Sequence, residues 1–499
     1  MWKKILAGAL ALSLLAGCGF REVYEDIFGA GEDPAVTQPR ELTSLAIPVN
    51  INDSLSPYAA QSDMNQSIVP LIFDGLFLTD GQFEHHAVLA AGITGEGREY
   101  TVTLREDVRF SDGSPLTAAD VVYSYQQTET QARRYWQLHT SVESVQAVDD
   151  HTVRVTAYRA DRNIAGLLSF PIVRDGADSS TLTGTGRYTY REEHGRRYLT
   201  VNEQNPSAPE KIREIELVAL PNDSTVANAL RSGVIDCMYT DFSQESDYGL
   251  GSSSFPIQSG NVVYIGYSSS HPLLAQRAFR SLMGDMVSRE SIASDVYYNK
   301  AAAAYTPFPD SYYDLPDEVD RTRQSDDIIG MELELMGVTM TGDGTRSYQD
   351  QPVELGILVN SENPFRIRVA ETVARYLGYY GIAATVEPVE YESYLARLAS
   401  GDYDLFIAEV CVGENLDISP LISGSSLGIA GDCSDAQLLE QYYAYCAGSL
   451  SCGEFLEEFR QVCTVTPLVY RHSGVVVSPA FPAEMTPVSR DIFYNMQEW

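Results

Sequence analysis

The chain has 499 residues, of which 44% are hydrophobic and 10% aromatic, so it is long enough to bury the cores of more than one domain. It is strongly acidic, because 69 Asp and Glu residues oppose 34 Lys and Arg residues and give a formal net charge of −35. Nucleic acids and anionic lipid surfaces are bound through Lys and Arg side chains that neutralise phosphate. This composition therefore argues against both as partners.

The N-terminus has the pattern of an export signal. Two lysines precede an apolar run from Ile5 to Leu15, which is shorter than the roughly 20 residues of a membrane span. The run ends in Leu-Ala-Gly-Cys18, a lipobox. Residues 1–17 are thus predicted to be a signal peptide, Cys18 a lipidated N-terminus, and the polar segment 18–41 a flexible stalk. We expect the body to lie on the extracytoplasmic face of the cell membrane, attached by this lipid only.

The first part of the body contains both strand and helix patterns. Leu42 to Asn50 and Tyr100 to Leu104 are predicted strands, and Met64 to Leu76 is a predicted helix that ends near Gly75. Thr117 to Asp120 has the form of a capping box before a helix from Val121 to Thr128. The cap is expected to have a structural role.

The later part of the body alternates strands and helices. The predicted elements are the helix Ser224–Arg231, the strands Ile235–Tyr239 and Leu355–Asn360, the helix Pro364–Tyr380, the strand Ile382–Val389, the helix Tyr391–Ala399 and the strand Tyr403–Glu409. This order predicts a mixed α/β fold with βαβ-type pairing. In such sheets, ligands bind at the strand ends and in the loops that follow them.

One short motif suggests catalysis. Gly424 to Gly428 matches G-x-S-x-G, in which Ser426 would be the nucleophile of a serine hydrolase. That motif needs a strand before the serine and a helix after it, whereas here Pro420 precedes it and a loop-like Gly431 to Ser434 follows. The sequence contains no phosphate-binding glycine loop, zinc-protease motif or dinucleotide fingerprint, and no cofactor is predicted. A secreted hydrolase is therefore a remote alternative.

The cysteines allow disulfides but do not define them. Six follow Cys18: Cys237, Cys411, Cys433, Cys446, Cys452 and Cys463. The last five of these lie in the last quarter of the chain, where one or two bridges are expected. Their pairing remains open. No C-x-x-C pair is present and the histidines are not spaced as ligands, so no metal site is predicted.

Several segments together resemble the family 5 extracellular solute-binding proteins of ABC transporters, the dipeptide, oligopeptide and nickel type. The strongest resemblance lies in Glu99 to Tyr125, a strand followed by an F-x-D-G-x-P-L-T turn and a capped helix. Further similar stretches follow in the same order: Ser54 to Leu76, Gly184 to Tyr188, Leu230 to Asp236, Ala278 to Ile292, Tyr394 to Asp404 and Pro467 to Tyr470.

The resemblance implies an α/β, two-lobed fold of the periplasmic-binding-protein type II, with a ligand cleft between the lobes. Lobe I would comprise residues 42–57, 173–259 and 473–499, with an inserted subdomain at 58–172, and lobe II would comprise residues 260–472. Chain crossings near Gly260 to Tyr264 and Tyr470 to Gly474 would form the hinge.

The implied function is capture of a peptide by closure of the lobes, followed by delivery to ABC permease subunits. A ligand that bridges both lobes stabilises the closed form through its higher affinity for that form. The protein is expected to be a monomer and not an enzyme. The same fold could instead bind a nickel chelate or an oligosaccharide, or act as a sensor of a signalling peptide.

One loop departs from the peptide-binding members of the family. These resemble one another in a G-W-x-x-D-like stretch whose carboxylate faces the ligand's free amine, whereas this chain has Glu-Val-Cys-Val-Gly-Glu-Asn at 409–415. The candidate ligand residues in this loop are Glu409, Cys411, Gly413, Glu414 and Asn415. Glu414 could supply the charge with a shift of one residue, or could be a solvated loop residue.

Two further candidate ligand residues lie outside this loop. Tyr58 is placed at the lobe junction, where its ring and hydroxyl could contact a ligand. Arg471 is placed near the hinge, where it could pair with a ligand carboxylate or with an acidic neighbour.

Overall fold

The computed structural model describes residues 42–177, 182–220, 223–249, 253–423 and 431–499. The predicted signal peptide, Cys18 and the stalk lie outside these ranges, and so does Ser426. Within them, no helix is both long and apolar enough to cross a membrane.

A four-stranded sheet is built from residues of the segments predicted as lobe I, called the first lobe below. Its strands lie in the order Leu45–Val49, Glu214–Ala219, Arg196–Val201 and Tyr188–Glu193. The first two are parallel and the others antiparallel. Their buried side chains, including Ile47 and Ile215, pack in one cluster with the C-terminal residues Phe493 and Trp499, so the end of the chain completes this lobe.

A second four-stranded sheet is built from residues of the segment predicted as the inserted subdomain. It is antiparallel, in the order Ala90–Glu96, Glu99–Leu104, Thr152–Ala157 and Val142–Asp149. Helix Ala118–Gln127 packs on it, and Val102, Val121, Val153 and Phe170 share its core. The family-like segment Glu99 to Tyr125 therefore builds this subdomain.

The largest sheet is built mostly from residues of the segment predicted as lobe II, and strand Cys237–Thr240 joins it from a segment predicted as lobe I. Its main strands lie in the order Cys237–Thr240, Val465–Val477, Ser253–Tyr267, Leu405–Cys411, Glu354–Asn360 and Ala383–Val389, and Ala301–Ala303 pairs with Val465–Val477. The last three in the order are mutually parallel, which confirms the predicted βαβ pairing. Apolar clusters pack on both faces of this sheet.

Short helices and two small sheets complete the described chain. The α-helices are Asp63–Gln66, Val69–Ile72, Ala118–Gln127, Trp136–Ser141, Ile164–Leu167, Asp223–Arg231, Arg277–Met286, Arg289–Ser291, Asp326–Leu335, Pro364–Tyr379, Tyr391–Ser400, Ser419–Ile422, Ala436–Cys446 and Cys452–Val462. Single turns of 3₁₀-helix lie at Thr128–Gln131, Glu245–Gly249, Gly431–Cys433 and Met496–Glu498, and a π-helical turn lies at Ile292–Val296. The small sheets pair Phe77–Thr79 with His85–Ala87, and Arg346–Tyr348 with both Val338–Met340 and Gln351–Pro352.

The predicted helix from Met64 to Leu76 is wrong. The chain forms two short helices there, Asp63–Gln66 and Val69–Ile72, and leaves helical geometry at Phe73. Pro70 lies at the start of the second helix, where its missing N–H costs little, but inside one continuous helix it would remove a hydrogen bond. The other predicted elements are present, with ends shifted by a few residues.

The predicted disulfides are also wrong. All six cysteines from Cys237 to Cys463 are free. Closeness in sequence is not enough for a bridge, because the two Cβ atoms must approach within about 3.5–4.5 Å. Burial raises the pKa of the Cys463 thiol to about 11 and that of the Cys452 thiol to about 12, which keeps both protonated.

Candidate functional site

Two long antiparallel strands, Ser253–Tyr267 and Val465–Val477, run from the first lobe into the second. Their pairing is interrupted between Ile257 and Asn261, so Gln258, Ser259 and Gly260 do not follow the regular register. A register break bends a strand pair. The bent segment lies beside a cavity that both lobes enclose.

This interlobe cavity has a volume of about 300 Å³. The inserted subdomain contributes Arg133 to Leu138 and Gly166 to its wall, the C-terminal segment of the first lobe contributes Ser489 and Arg490, and the second lobe contributes Cys411, Gly413 and Glu414. A smaller cavity of about 150 Å³ adjoins it and shares five of its wall residues: Arg134, Tyr135, Tyr239, Ser489 and Arg490. A ligand in the larger cavity would contact both lobes.

Glu414 reaches across the cavity from the second lobe to the first. Its Oε1 accepts a hydrogen bond of 2.6 Å from the Ser489 hydroxyl and lies 3.5 Å from Nε of Arg490. Its Oε2 is buried and has no hydrogen-bond partner. Because an unpaired buried carboxylate oxygen is costly, Oε2 is the available acceptor for a donor group on a ligand.

The opposite wall carries positive charge. Arg134 and Arg490 lie close enough that burial, together with the charge of Arg490, lowers the pKa of Arg134. Among the described residues, no carboxylate oxygen lies within 4 Å of Arg133 or Arg134. Arg134 is exposed, and the Asp63 carboxylate, which also lines the smaller cavity, interacts with its charge.

Direct contacts between the lobes lie beside the cavity. The Gln137 amide donates a hydrogen bond of 2.9 Å to the Cys411 carbonyl, and the Asn415 amide donates one of 2.9 Å to Oδ2 of Asp161. Burial raises the pKa of Asp161 to about 6. Phe83 of the subdomain is buried in a cluster of the second lobe with Val412 and Leu416. These contacts hold the two sides together.

The seven residues predicted to touch a ligand divide into two groups. Cys411, Gly413 and Glu414 line the cavity. Asn415 contacts the inserted subdomain instead, and the Tyr58 hydroxyl donates to the Pro171 carbonyl.

Glu409 and Arg471 pair with each other, and neither belongs to the wall of the larger cavity. Oε1 of Glu409 lies 2.7 Å from a guanidinium nitrogen of Arg471, and its Oε2 lies 3.2 Å from Arg366. Arg471 also donates to the Asp241 carbonyl. Of the two roles considered for Arg471, the structure shows the pairing with an acidic neighbour, and that neighbour is Glu409.

Sequence patterns did not identify the wall residues on the first-lobe side, namely Arg134, Gln137, Ser489 and Arg490. A signal was present for Arg134, because Arg133-Arg134-Tyr135-Trp136 joins two cations to two aromatic rings in an otherwise acidic chain. No local signal marked Ser489 and Arg490. These two residues lie in the C-terminal segment, far in sequence from the wall residues of the inserted subdomain and the second lobe.

Comparisons with curated proteins show partial similarity. Protein XP55 of Streptomyces lividans is 27% identical over 286 residues, which cover 52% of each chain. The glutathione-binding protein GsiB of Escherichia coli K12 is 26% identical over 171 residues, 34% of this chain and 30% of GsiB. The matched region thus spans about half of XP55 and less than a third of GsiB.

Solved structures show the same fold over nearly the full length. A murein tripeptide binding protein, MppA, in its unliganded open form has a TM-score of 0.73 at 17% identity and covers 90% of this chain and 96% of its own. NikA of Brucella suis with Fe(III)-EDTA has a TM-score of 0.64 at 18% identity and covers 87% and 95%. AppA of Bacillus subtilis with a nonapeptide has a TM-score of 0.56 at 19% identity and covers 93% and 99%.

A family profile described as "Bacterial extracellular solute-binding proteins, family 5 Middle" matches residues 85–423, more than half of the chain. The family and the structural neighbours are substrate-binding proteins and not enzymes, which counts against the hydrolase alternative. The fold of the neighbours is the two-lobed α/β architecture described above. The chain belongs to the family 5 bacterial extracellular solute-binding proteins.

Proposed function

We propose that this protein is the lipid-anchored, extracytoplasmic solute-binding component of an ABC importer, and that it binds short peptides between its lobes. The observation that carries the proposal is the cavity between the lobes, with Glu414 on one lobe and arginines on the other. A peptide carries an ammonium group at one end and a carboxylate at the other, so a cavity wall with both negative and positive side chains complements it.

The size of the cavity supports a short ligand. Its volume of about 300 Å³ is at the lower limit of the ~300–1,000 Å³ typical of small-molecule sites. Two of the similar proteins are named for tripeptide ligands, glutathione and murein tripeptide. We therefore place di- and tripeptides ahead of long peptides.

Glu414 is the proposed partner of the ligand's ammonium group. Its unpaired Oε2 is the only free position on that carboxylate, since Oε1 is bound by Ser489. Gly413 and Cys411 would contact the ligand through their backbone, next to Glu414 on the same wall. Glu409, Asn415, Tyr58 and Arg471 are proposed to act indirectly, through the closed arrangement.

The direct test is a thermal-shift screen of the full-length protein in detergent. Pools of dipeptides and tripeptides would be compared with nickel chelates and oligosaccharides. A ligand at about 100 times its dissociation constant adds about 2.7 kcal/mol to the stability of the form that binds it. A shift with short peptides alone supports the proposal, and a shift only with another class retires the peptide assignment.

Membrane attachment at Cys18 is tested separately. Cells expressing the protein would be fed a labelled fatty acid and fractionated. The proposal requires label in the membrane-bound protein and loss of both label and membrane attachment in the Cys18→Ser variant. Label retained by that variant would contradict it.

A further inference from the structure

The hairpin formed by strands Phe77–Thr79 and His85–Ala87 reaches from the inserted subdomain to the second lobe. Phe83, between its strands, is buried in a cluster of the second lobe, and the Gln82 carbonyl accepts a hydrogen bond of 3.0 Å from the Tyr313 backbone N–H. Other residues of the hairpin line the larger cavity. The hairpin therefore takes part in both the interlobe contact and the ligand site.

His85 of this hairpin lies next to the loop that carries Glu414. A Cβ added at Gly166 would lie 2.8 Å from Cε1 of His85 and 2.8 Å from the Glu414 carbonyl oxygen, so the imidazole and this loop meet at one point of the helix Ile164–Leu167. Among the charged groups that act on His85, Glu414 has the largest effect, and it comes from the opposite lobe.

Both side chains have an atom without a partner. Nδ1 of His85 lies 3.0 Å from the Thr79 hydroxyl, whereas its Nε2 is buried and has no hydrogen-bond partner among the described residues. Oε2 of Glu414 is likewise buried and unpartnered within the described chain, while Oε1 is bound by Ser489. Buried polar atoms without partners are rare in folded proteins, so two of them on facing lobes call for an explanation.

The charges around His85 come from both lobes. Burial lowers the pKa of His85 below its ordinary value, the charges of Glu414 and Asp80 oppose this effect, and the charge of His86 adds to it. Asp80 lies 2.8 Å from Nε2 of His86, and Glu414 lies 3.5 Å from Nε of Arg490. His85 is thus neutral at neutral pH and gains a proton only below about pH 6.5.

We infer that protonation of His85 releases the ligand, because the imidazolium neutralises the Glu414 carboxylate that would otherwise hold the ligand's ammonium group. The inference rests on the proposed function, since it describes how the proposed ammonium site is regulated. Two cations compete for one carboxylate, and each lowers the affinity of Glu414 for the other. The protein therefore holds short peptides at neutral pH and gives them up when the medium becomes acidic.

The direction of the pH dependence follows from linkage. A bound ammonium group repels the proton on His85, so the pKa of His85 is lower in the complex than in the free protein. Binding expels the proton, and the affinity falls as the pH drops below the pKa of the free protein, by up to about tenfold per pH unit. Above about pH 6.5 His85 is neutral in both states, and the affinity does not depend on its protonation.

Calorimetry on the full-length protein in detergent tests this inference at about pH 7 and about pH 5. The probe is a pool of tripeptides without ionisable side chains, whose terminal groups stay charged at both values. We expect binding to be at least about threefold weaker at the lower pH. His85→Asn keeps a polar side chain but cannot gain a proton, and should lose most of this dependence. His86→Asn is the matched control, because it removes an exposed histidine of the same strand and should keep the dependence.

Asp161 is a second group at the interlobe contact that titrates in this range, because burial raises its pKa to about 6. Asp161→Asn separates its contribution, and the inference requires the fall in affinity to persist in this variant. NMR of the histidine Cε1 positions gives an independent readout, since the pKa of His85 should fall when the pool binds. The spectrum of His85→Asn assigns the signal, and melting temperatures show which variants fold.

The possible failures are distinguishable. If the pool binds to the wild-type protein at neither pH, the proposed function itself fails. If it binds equally well at both, or if His85→Asn loses affinity as steeply as the wild type, the inference about His85 is overturned and peptide binding stands. A pKa of His85 that does not move when the pool binds would also overturn it.

Discussion

At the scale of residues, Glu409 shows how a predicted ligand group can have a structural partner. Only 9% of its side chain is exposed, and two arginines hold its two oxygens. Its position near the end of strand Leu405–Cys411 suggests a ligand site, because ligands bind at the strand ends of such sheets. Spacing does not reveal that Arg471, 62 residues later in the chain, reaches the same place.

Replacing Glu409 by alanine should strongly destabilise the protein. The change leaves Arg366 and Arg471 with unpaired charge in a poorly solvated position, which costs about 3–5 kcal/mol for buried pairs. Urea unfolding would measure the loss. Glu245→Ala is the control, because Glu245 pairs with Arg368 but is 60% exposed, and such a pair contributes less than about 1 kcal/mol. Equal small losses in both variants would contradict this account.

At the scale of elements, the family-like motifs proved to be structural. Gly184 and Gly186 pass so close to the helix Val69–Ile72 that an added Cβ would lie 1.9 Å and 2.5 Å from the backbone of Ile72. The Arg187 guanidinium that follows binds Asp491 at 2.6 Å and thereby fixes the C-terminal segment. This segment carries Ser489 and Arg490 into the cavity wall.

The capped helix of the inserted subdomain provides a test at this scale. The Asp120 carboxylate accepts hydrogen bonds from both the backbone N–H and the hydroxyl of Thr117, at 2.7 Å and 2.8 Å. Thr117→Ala removes the hydroxyl and should lower the free energy of unfolding by about 1 kcal/mol. Thr117→Ser keeps the hydroxyl and should change it by less than about 0.5 kcal/mol. A serine variant as unstable as the alanine variant would show that the methyl group, and not the hydrogen bond, matters.

At the scale of the whole molecule, binding depends on how closely the two sides approach. Gly166 of the inserted subdomain faces the Glu414 backbone, and a Cβ added at Gly166 would lie 2.8 Å from the Glu414 carbonyl oxygen. This distance is below the usual limit for a Cβ contact. A side chain at position 166 would therefore keep the lobes apart.

Gly166→Ala should weaken binding of short peptides at least tenfold and leave the folded lobes intact. The physical reason is that a ligand stabilises the closed form only by its preference for that form, and the added methyl group raises the free energy of closure. Calorimetry would measure affinity, and small-angle scattering the change in compactness on ligand binding. Gly92→Ala, in the same subdomain with no atom within 4 Å of the added Cβ, should bind normally. Unchanged affinity in Gly166→Ala would contradict the role of this contact.

Much of the fold could be predicted from local patterns. Helix Pro364–Tyr379 begins at a proline, and helix Tyr391–Ser400 ends at Gly401 with a φ of +72°. Such signals are local because they arise from hydrogen bonds and steric limits within a few residues. The helix predicted at Met64 to Leu76 failed because its apolar spacing was periodic while Pro70 divided it.

The sequence by itself determined the export signal pattern, the α/β class, the family resemblance and the loop that contains Glu414, because each depends on a contiguous stretch of residues. Only the tertiary structure decided which side chains share the cavity. Arg134, Glu414 and Arg490 come from segments far apart in the chain, and the packing of these segments around one cavity brings them together. The same packing decided that Glu409 neutralises Arg471, since electrostatic pairing depends on distance in space and not on distance along the chain.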